Sequence, residues 1–331
     1  MSQRKSDHIN MAASSVPASF ISDERFYYEP LLHPHPTTEI TVNFLGKTMR
    51  HPLWISSMTG GTAEAGVINH RLAEVSAEFG LGMGLGSCRS LLRSDEFFDD
   101  FNLRPIIGQQ LPFYANLGIA QIEKMLDRGE GERIHELVSR LGADGLFIHV
   151  NPSQEWLQPE GDRFQRPAIE TIEEFSQVVN GAYHLIVKEV GQGMGPKSLE
   201  KLLGMNIDGI EFAAFGGTNF ATIELMRKRD GEAAHLYPLA TFGHNANEMT
   251  AMINRIVSQH PEMNKQLIVS GGINNFLDGY YYTEKSMLPA VYGMAGAVLK
   301  QARVSKQALV NFIKAEIQGY QFAKAFLSLR G

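Results

Sequence analysis

A lysine at the end of an apolar stretch is the first sign of chemistry in this sequence. Lys188 closes the run HLIVKEV, where a buried ammonium group would need an anion or a polar ligand to offset its lost hydration. An ion pair with Glu189 or with Glu155 would meet the same need without any ligand. The residues alone leave both explanations open.

Two pairs of small residues have the composition of phosphate-binding turns. Gly271-Gly272 follows QLIVS, and Ala295-Gly296 follows VYGM. Small residues let backbone N–H groups approach phosphate oxygens closely. Since glycine is also the usual residue of tight turns, these pairs suggest a phosphate site without requiring one.

The segment 149–165, HVNPSQEWLQPEGDRFQ, reads as a long polar loop after an apolar stretch. His149, Asn151, Gln154 and Glu155 would converge at one edge of the fold. Glu155 could hold Mg²⁺ through one carboxylate, with waters and a substrate phosphate completing the shell. A solvated loop is the alternative, although so long an irregular segment is usually functional. No HExxH or CxxC spacing predicts a zinc site.

The amino-terminal residues RKSDHI allow two interpretations. An unstructured tail is the ordinary expectation for a chain terminus. Alternatively, Arg4 and Lys5 fold over a phosphorylated substrate, to which arginine offers bidentate contacts and lysine a point charge.

The stretch LGMGLGSCRS contains the only cysteine of the chain, Cys88, between Ser87 and Arg89. A nucleophilic thiol would need a lowered pKa, which a neighbouring arginine could provide. A small buried bystander is the other interpretation. A single cysteine forms no internal disulfide, which favours a reducing, cytoplasmic setting.

Eight apolar, β-like runs alternate with helical patterns and would position these residues. This alternation predicts an α/β fold, a (β/α)₈ TIM barrel in one domain over 1–331, with an arm at 1–36 and a hairpin around Gly46-Lys47. In such a barrel the carboxyl ends of the strands form the active-site face. The predicted strands lie at 53–58, 81–87, 112–118, 145–150, 184–190, 209–214, 266–272 and 291–296.

Composition excludes several classes of protein. The net charge of −6 argues against a nucleic-acid-binding protein, which usually carries a basic excess. No apolar run reaches the length of about 18 residues that a membrane span needs. The amino terminus has no apolar signal region, so we expect a cytoplasmic protein with a small-molecule ligand.

The motifs RKSDHI, SSMTGGT, GSCR, HVNPSQEWLQPEGD, VKEVGQG, FGGTNFATIE and SGGI occur in this order. Their sequence closely resembles type 2 isopentenyl diphosphate isomerases, FMN-dependent (β/α)₈ barrels of isoprenoid biosynthesis. The resemblance implies interconversion of isopentenyl and dimethylallyl diphosphate, with reduced FMN as acid and base, Mg²⁺ on the diphosphate and NADPH as reductant. It also implies a homo-oligomer, a tetramer or an octamer.

The same resemblance implies a role for each matching position. Residues beside the flavin ring would be Ser57, Met58, Thr59, Ser87, Asn116 and Lys188, and those at the FMN phosphate Thr218, Gly271, Gly272, Ala295 and Gly296. The substrate pocket would comprise Arg4, Lys5, His8, Arg89, His149, Asn151 and Gln154, with Glu155 as the metal ligand. The implied catalytic residues are Gln154, His149 and Lys188, and Glu224 is a further candidate for proton relay.

Three departures from the family pattern leave rival functions open. Cys88 replaces a glutamine, Ala213 or Ala214 replaces a serine near the flavin, and the stretch before Ala295 is slightly long. A purine-nucleotide dehydrogenase would use a catalytic cysteine, and a 2-hydroxy-acid oxidase would need a histidine that SGGINN lacks. A non-catalytic flavin- or phosphate-binding barrel is the third alternative, because fold alone does not fix function.

Overall fold

The computed structural model describes residues 2–15, 22–57, 59–228 and 232–330. The chain begins with helix α1 (Ser2–Ala12), strand β1 (Phe26–Tyr28) and a hairpin of β2 (Val42–Phe44) and β3 (Lys47–Met49). The predicted hairpin is present, but its turn lies one residue earlier than Gly46-Lys47, at Leu45 and Gly46, whose φ angles are 46° and 84°. Positive φ at both positions suits a two-residue turn between antiparallel strands.

Eight parallel strands close into a barrel, and each overlaps one of the predicted apolar runs. Consecutive strands are neighbours, and the last of them pairs with the first. The strands are β4 (Leu53–Ile55), β5 (Gly82–Gly84), β6 (Phe113–Gly118), β7 (Gly145–His149), β8 (His184–Lys188), β9 (Gly209–Glu211), β10 (Gln266–Ser270) and β11 (Ala290–Met294). The predicted (β/α)₈ fold is therefore confirmed.

Helices surround the barrel, and none in the described part of the chain is long and apolar enough to cross a membrane. The predicted helix at NEMTAMINRIV is α12, which begins with a capping box of Asn245 and Glu248. The helices are α2 (Ala63–Phe79), α3 (Phe98–Phe101), α4 (Arg104–Ile107), α5 (Ile119–Asp127), α6 (Glu132–Arg140), α7 (Pro152–Leu157), α8 (Ala168–Val179), α9 (Pro196–Gly204), α10 (Phe220–Arg227), α11 (Glu232–Leu236), α12 (Ala246–Gln259), α13 (Phe276–Lys285), α14 (Gly296–Val304) and α15 (Lys306–Phe326).

The predicted arm is shorter than expected. Strand β1 pairs antiparallel with β12 (Leu327–Leu329) near the carboxyl end of the chain, and Phe26 is buried in the core. Arg25 adds an ion pair to Asp278 of α13, with 2.7 Å between Nη1 and Oδ1. Residues 22–36 therefore include a segment anchored to the barrel, because pairing and burial hold it there.

The lower half of the barrel interior is an apolar floor. Phe44 of the hairpin packs against Trp54, with ring centroids 4.8 Å apart. Aromatic pairs at this separation add to the free energy gained by burial. The floor consists of Phe44, Met49, Trp54, Tyr114, Phe147, Ile186, Ile268 and Val291, all buried. It closes the barrel at the amino-terminal ends of the strands.

A polar layer lies directly above the floor, two residues farther along the strands. Side chains that face the same side of a strand recur every second residue. Ser56, Asn116, Lys188 and Ser270 therefore follow the floor residues of their strands into the interior, and all four are buried. Polar groups at this depth place the functional site at the carboxyl ends of the strands.

The floor generates a prediction about stability. We expect Phe44→Ala to lower the free energy of unfolding by about 3–5 kcal/mol, because it removes a buried aromatic ring and leaves a cavity. Urea unfolding followed by tryptophan fluorescence measures the change. Thr48→Ala on the exposed side of β3 is the control and should change stability little. Equal effects of the two substitutions would show that the hairpin does not seal the barrel.

Candidate active site

A cavity of about 220 Å³ opens at the carboxyl ends of β4, β8, β9, β10 and β11. The structure brings many of the predicted cofactor residues into its wall: Ser57, Lys188, Thr218, Gly271, Gly272, Ala295 and Gly296. It also places Ser56, Glu211, Ala213 and Ser270 there, which were not among the predicted site residues. The cavity therefore gathers the glycine pairs and the buried lysine into one site.

One end of the cavity is a cradle of small residues. A Cβ atom on Gly217 would lie 2.8 Å from the backbone nitrogen of Gly272, and one on Gly296 would lie 3.0 Å from Thr218 Oγ1. Helix α14 begins at Gly296 without a side-chain cap, so its first N–H groups face this end. Free amides and the positive end of a helix dipole are suited to an anion such as a phosphate.

Lys188 forms neither of the ion pairs that sequence reasoning left open. Its side chain is buried, and Nζ donates to the backbone oxygen of Glu189 at 2.9 Å. The Glu189 carboxylate instead accepts from the N–H groups of Gln192 and Gly193, at 2.5 and 3.2 Å. Among the described residues, no carboxylate pairs with the Lys188 ammonium, so its charge is available to a ligand in the cavity.

The predicted flavin-ring segment follows β4. Ser57 lines the cavity, and neither its hydroxyl nor that of Ser56 has a partner among the described residues, although both are buried. Met58 lies outside the described residues. The backbone of Thr59 packs against Gly86, where an added Cβ would lie 2.2 Å from Thr59 O. Unpartnered buried hydroxyls indicate that this wall is built for a polar ligand.

Asn116 and His149 form a pair whose protonation follows from geometry. Asn116 Nδ2 donates to Leu85 O at 3.0 Å, so its Oδ1 must accept from His149 Nδ1 at 2.8 Å. Nδ1 therefore carries the proton, and Nε2 is an acceptor. Burial, with the charges of Lys188 and Arg89, lowers the pKa of His149 to about 3. The imidazole is neutral near pH 7.

The segment after β7 is less irregular than expected, because Pro152–Leu157 form the short helix α7. Asn151 Nδ2 donates to Gln154 Oε1 at 2.9 Å and to Glu155 Oε1 at 3.1 Å. Glu155 Oε2 accepts from the Asp162 N–H at 2.6 Å. These side chains form one cluster, but none of them lines the cavity.

Asp162 was missed by sequence reasoning, although it closes the QPEGD motif. Its carboxylate lies 3.4 Å from Arg89 Nη2, accepts from Gln121 Nε2 at 2.9 Å and contacts Lys124 Nζ. Burial opposes ionisation of Asp162, but the hydrogen bond from Lys124 and the charge of Arg89 outweigh it and lower the pKa of Asp162. Asp162 thus holds Arg89, one of the predicted substrate residues, beside the α7 segment.

The predicted amino-terminal residues do not line the cavity. Arg4, Lys5 and His8 are exposed on α1. The side-chain hydrogen bond within this helix is local, from Gln3 to Asp7. In the described ranges no hydrogen bond or ion pair joins these three residues to the barrel. The structure therefore does not assemble this part of the expected substrate pocket.

Cys88 has the environment of a bystander. It is completely buried, and Sγ donates to Gly86 O at 3.5 Å. Burial raises the pKa of the thiol to about 12, the opposite of what a nucleophile needs. The adjacent Arg89 points to Asp162 instead of activating the thiol, which favours the interpretation of Cys88 as a buried bystander. Ser87, by contrast, is exposed at the mouth.

Glu224 and the alanines at 213 and 214 are further positions that the sequence singled out. Glu224 is buried, accepts from Gln158 Nε2 at 2.9 Å and pairs with Arg227 at 2.8 Å, so it stabilises the contact between α7 and α10. Of the two alanines that were expected to replace a serine near the cofactor, Ala213 lines the cavity and Ala214 does not. The N–H of Ala213 donates to Ser270 Oγ at 3.0 Å.

The curated relatives of this chain share one name, and similar solved structures share its fold. No family model matches the chain. It is 30% identical over 322 residues to an isopentenyl-diphosphate delta-isomerase of Rickettsia felis, covering 96% of this chain and 90% of the relative. It is 35% identical over 277 residues to one of Vibrio parahaemolyticus, covering 83% and 78%.

Solved structures share the barrel at much lower identity. A mandelate oxidase variant with an FMN adduct superposes with a TM-score of 0.56 at 12% identity, over 93% of this chain and 88% of the oxidase. A flavocytochrome b2 variant with pyruvate bound gives 0.62 at 13% identity, over 91% and 72%. At such identity the likeness establishes the fold alone.

The neutral state of His149 can be tested by NMR. In ¹⁵N-histidine-labelled protein, we expect the His149 nitrogens to keep neutral shifts from about pH 8 down to pH 5, because burial and nearby cations disfavour the charged form. His184 is the internal control, since its bond to Asp208 raises its pKa and it should titrate above about 6.5. Assignment uses His149→Phe. A His149 midpoint above pH 5 would contradict this.

The buried thiol gives a simple chemical test. Ellman's reagent should label no cysteine in the native protein at about pH 8 and one after denaturation, because the sole thiol is shielded and protonated. Absorbance of the released chromophore measures the count. Rapid labelling of the native protein would restore Cys88 as a candidate nucleophile. Cys88→Ala, which should label in neither state, is the control.

Proposed function

Because this chain belongs to the isopentenyl-diphosphate delta-isomerase family, we propose that it interconverts isopentenyl and dimethylallyl diphosphate with FMN. The observation that carries this proposal is the cavity that joins a phosphate-sized cradle to an uncompensated buried lysine inside the barrel. This arrangement suits a long ligand with a phosphate at one end and an electron-rich edge at the other.

The residues present fit FMN. The cradle of Thr218, Gly271, Gly272 and Gly296 would hold its phosphate. The buried hydroxyls of Ser56 and Ser57 would form hydrogen bonds with its polar atoms. Lys188 would lie beside the N1–C2 edge of the flavin, where an ammonium stabilises negative charge. Reduced FMN would supply the acid and base that move the double bond without net redox change, and NADPH would be its reductant.

The chain itself positions and shelters the reactants. The apolar floor excludes water from below, which matters because the alkene of the substrate becomes cationic on protonation. Asn116 fixes the ring of His149, whose neutral Nε2 can accept but not donate a proton. Gln154, with its Oε1 held by Asn151, presents its amide at the same end of the barrel. These residues orient the substrate over the cofactor.

Glu155 would hold Mg²⁺ without a preformed cluster of metal-binding side chains. Among the described residues, no group of three His, Cys, Asp or Glu side chains is placed to bind a metal. Asn151 donates through Nδ2 to Glu155 Oε1, and its buried Oδ1 has no partner among the described residues. One carboxylate and one amide oxygen suit a Mg²⁺ ion whose remaining ligands are waters and the diphosphate.

The diphosphate would bind to cations at the mouth. Arg89 is one of them, and the substrate would replace Asp162 as its anionic partner. Arg4, Lys5 and His8 would join only if helix α1 moved over the mouth, either of its own subunit or of a neighbour in a homo-oligomer. The active protein would thus be a tetramer or an octamer with the arm ordered by substrate.

Of the rival functions, the hydroxy-acid oxidases share the fold. They would need a basic histidine near β10, and residues 266–275 contain none. Only an activity assay distinguishes a non-catalytic flavin-binding barrel from an isomerase. Purified protein that is loaded with FMN and reduced with NADPH should convert isopentenyl diphosphate in the presence of Mg²⁺. If it forms no dimethylallyl diphosphate, the proposal fails.

Metal dependence tests the role of Glu155. We expect Glu155→Gln to lower the isomerase rate at limiting Mg²⁺ by at least about tenfold, because the metal loses its charged protein ligand. Glu160→Gln, an exposed residue of the same segment, is the matched control and should retain wild-type activity. The readout is the rate of dimethylallyl diphosphate formation across a Mg²⁺ titration. Identical titration curves for the two variants would rule out Glu155 as the ligand.

A further inference from the structure

Glu211 is a buried acid that the proposed function leaves without a role. Its side chain is 1% exposed and lines the cavity. It stands on β9, beside Lys188 on β8 in the strand register, with Ser270 on the other side at the end of β10. Oε1 accepts from Ser270 Oγ at 3.0 Å, whereas Oε2 has no partner among the described residues.

Ser270 fixes the carboxylate but does not satisfy it. The serine oxygen already accepts from the Ala213 N–H, and its proton goes to Glu211. A hydroxyl has a single proton, so Ser270 has nothing left to donate to a ligand or to Oε2. A buried carboxylate oxygen without a donor is costly. Because Glu211 lines the cavity, a ligand bound there can supply the missing donor.

The position of Glu211 limits which part of a ligand can be that donor. The phosphate cradle is built from the loops after β9, β10 and β11, and Lys188 lies on β8. Glu211 is thus between the cradle and the lysine. A ligand with its phosphate in the cradle and its electron-rich edge at Lys188 would lay its connecting chain over Glu211.

We propose that Glu211 recognises the cofactor by accepting a hydrogen bond from a hydroxyl of its polyol linker. This inference rests on the proposed function, in which the cofactor is FMN and the linker is the ribityl chain. In oxidised FMN, the form used for the binding measurements below, the ring N3–H is the other donor, but it lies beyond the N1–C2 edge assigned to Lys188 and so farther from the cradle. Glu211 would discriminate hydroxylated from deoxygenated linkers, because a buried acceptor that loses its donor is costly.

Binding measurements on the apo-protein test this role without any activity assay. Flavin fluorescence or calorimetry gives the Kd of FMN, of 2′- and 3′-deoxyribityl FMN and of N3-methyl FMN. For wild-type protein we expect at least one deoxy analogue to bind about tenfold or more weakly than FMN. Glu211→Leu should weaken FMN by a similar factor and no longer distinguish the deoxy analogue. This loss of discrimination is the sign of a direct contact.

A matched control separates recognition from general effects of removing a buried acid. Glu316 on α15 is also buried and also has an oxygen without a partner, but it does not line the cavity. Glu316→Leu should leave the Kd of FMN unchanged. Glu211→Gln has nearly the same shape and keeps an acceptor oxygen, so we expect it to bind FMN with a Kd between those of wild type and Glu211→Leu. It takes the place of Glu211→Leu if the leucine variant folds poorly.

The outcomes distinguish failure of the inference from failure of the proposed function. If wild-type protein binds no FMN, the proposed function and this role both fall. If it binds FMN but does not discriminate the deoxy analogues, or if Glu211→Leu still discriminates them as wild type does, only the role of Glu211 is overturned. Loss of discrimination against N3-methyl FMN alone would mean that Glu211 contacts the ring and would also refute the proposal. The wild-type analogue series needs no variant and therefore does not depend on folding.

Discussion

A buried ammonium without a carboxylate partner is the constraint around which the interior of this barrel is arranged. Lys188 donates one hydrogen bond to the backbone oxygen of Glu189 and forms no ion pair with a described residue. A charge at that depth is costly unless a ligand compensates it. The hydroxyls of Ser56 and Ser57 and one oxygen of Glu211 also have no partner within the described part of the chain. Polar groups without partners are typical of a ligand-binding site and not of a packed core.

Much of the fold followed from the sequence because the signals were local. The apolar runs, the glycine pairs that follow them in sequence and the hairpin turn are all properties of short segments. Helix α7 was overlooked because its polar residues resemble a loop, although Pro152 stands at its first turn, where proline is favoured. Strand β1 was missed because its partner β12 lies at the opposite end of the chain, and no local pattern reports such a pairing.

The site was harder to predict than the fold, since it depends on which way side chains face. Glu211 is a single acid in the apolar run GIEFAA, and only the strand register shows that it points inward beside Lys188. Asp162 gains its importance from Arg89 and Lys124, which come from two other parts of the chain. Conversely, the motifs distinguished this chain from oxidases of the same fold, which structural similarity alone did not.

The hairpin that plugs the barrel also determines the order in which ligands can be exchanged. With Phe44 and Met49 closing the amino-terminal end, the cavity communicates with solvent through its mouth. Whatever is seated deepest, against Lys188 and Ser270, must enter before anything that lies above it and can leave only after that upper ligand has gone. A cofactor in the cradle would thus be retained kinetically for as long as the mouth is occupied. Turnover at the mouth and exchange of the deep ligand become separate processes with separate rates.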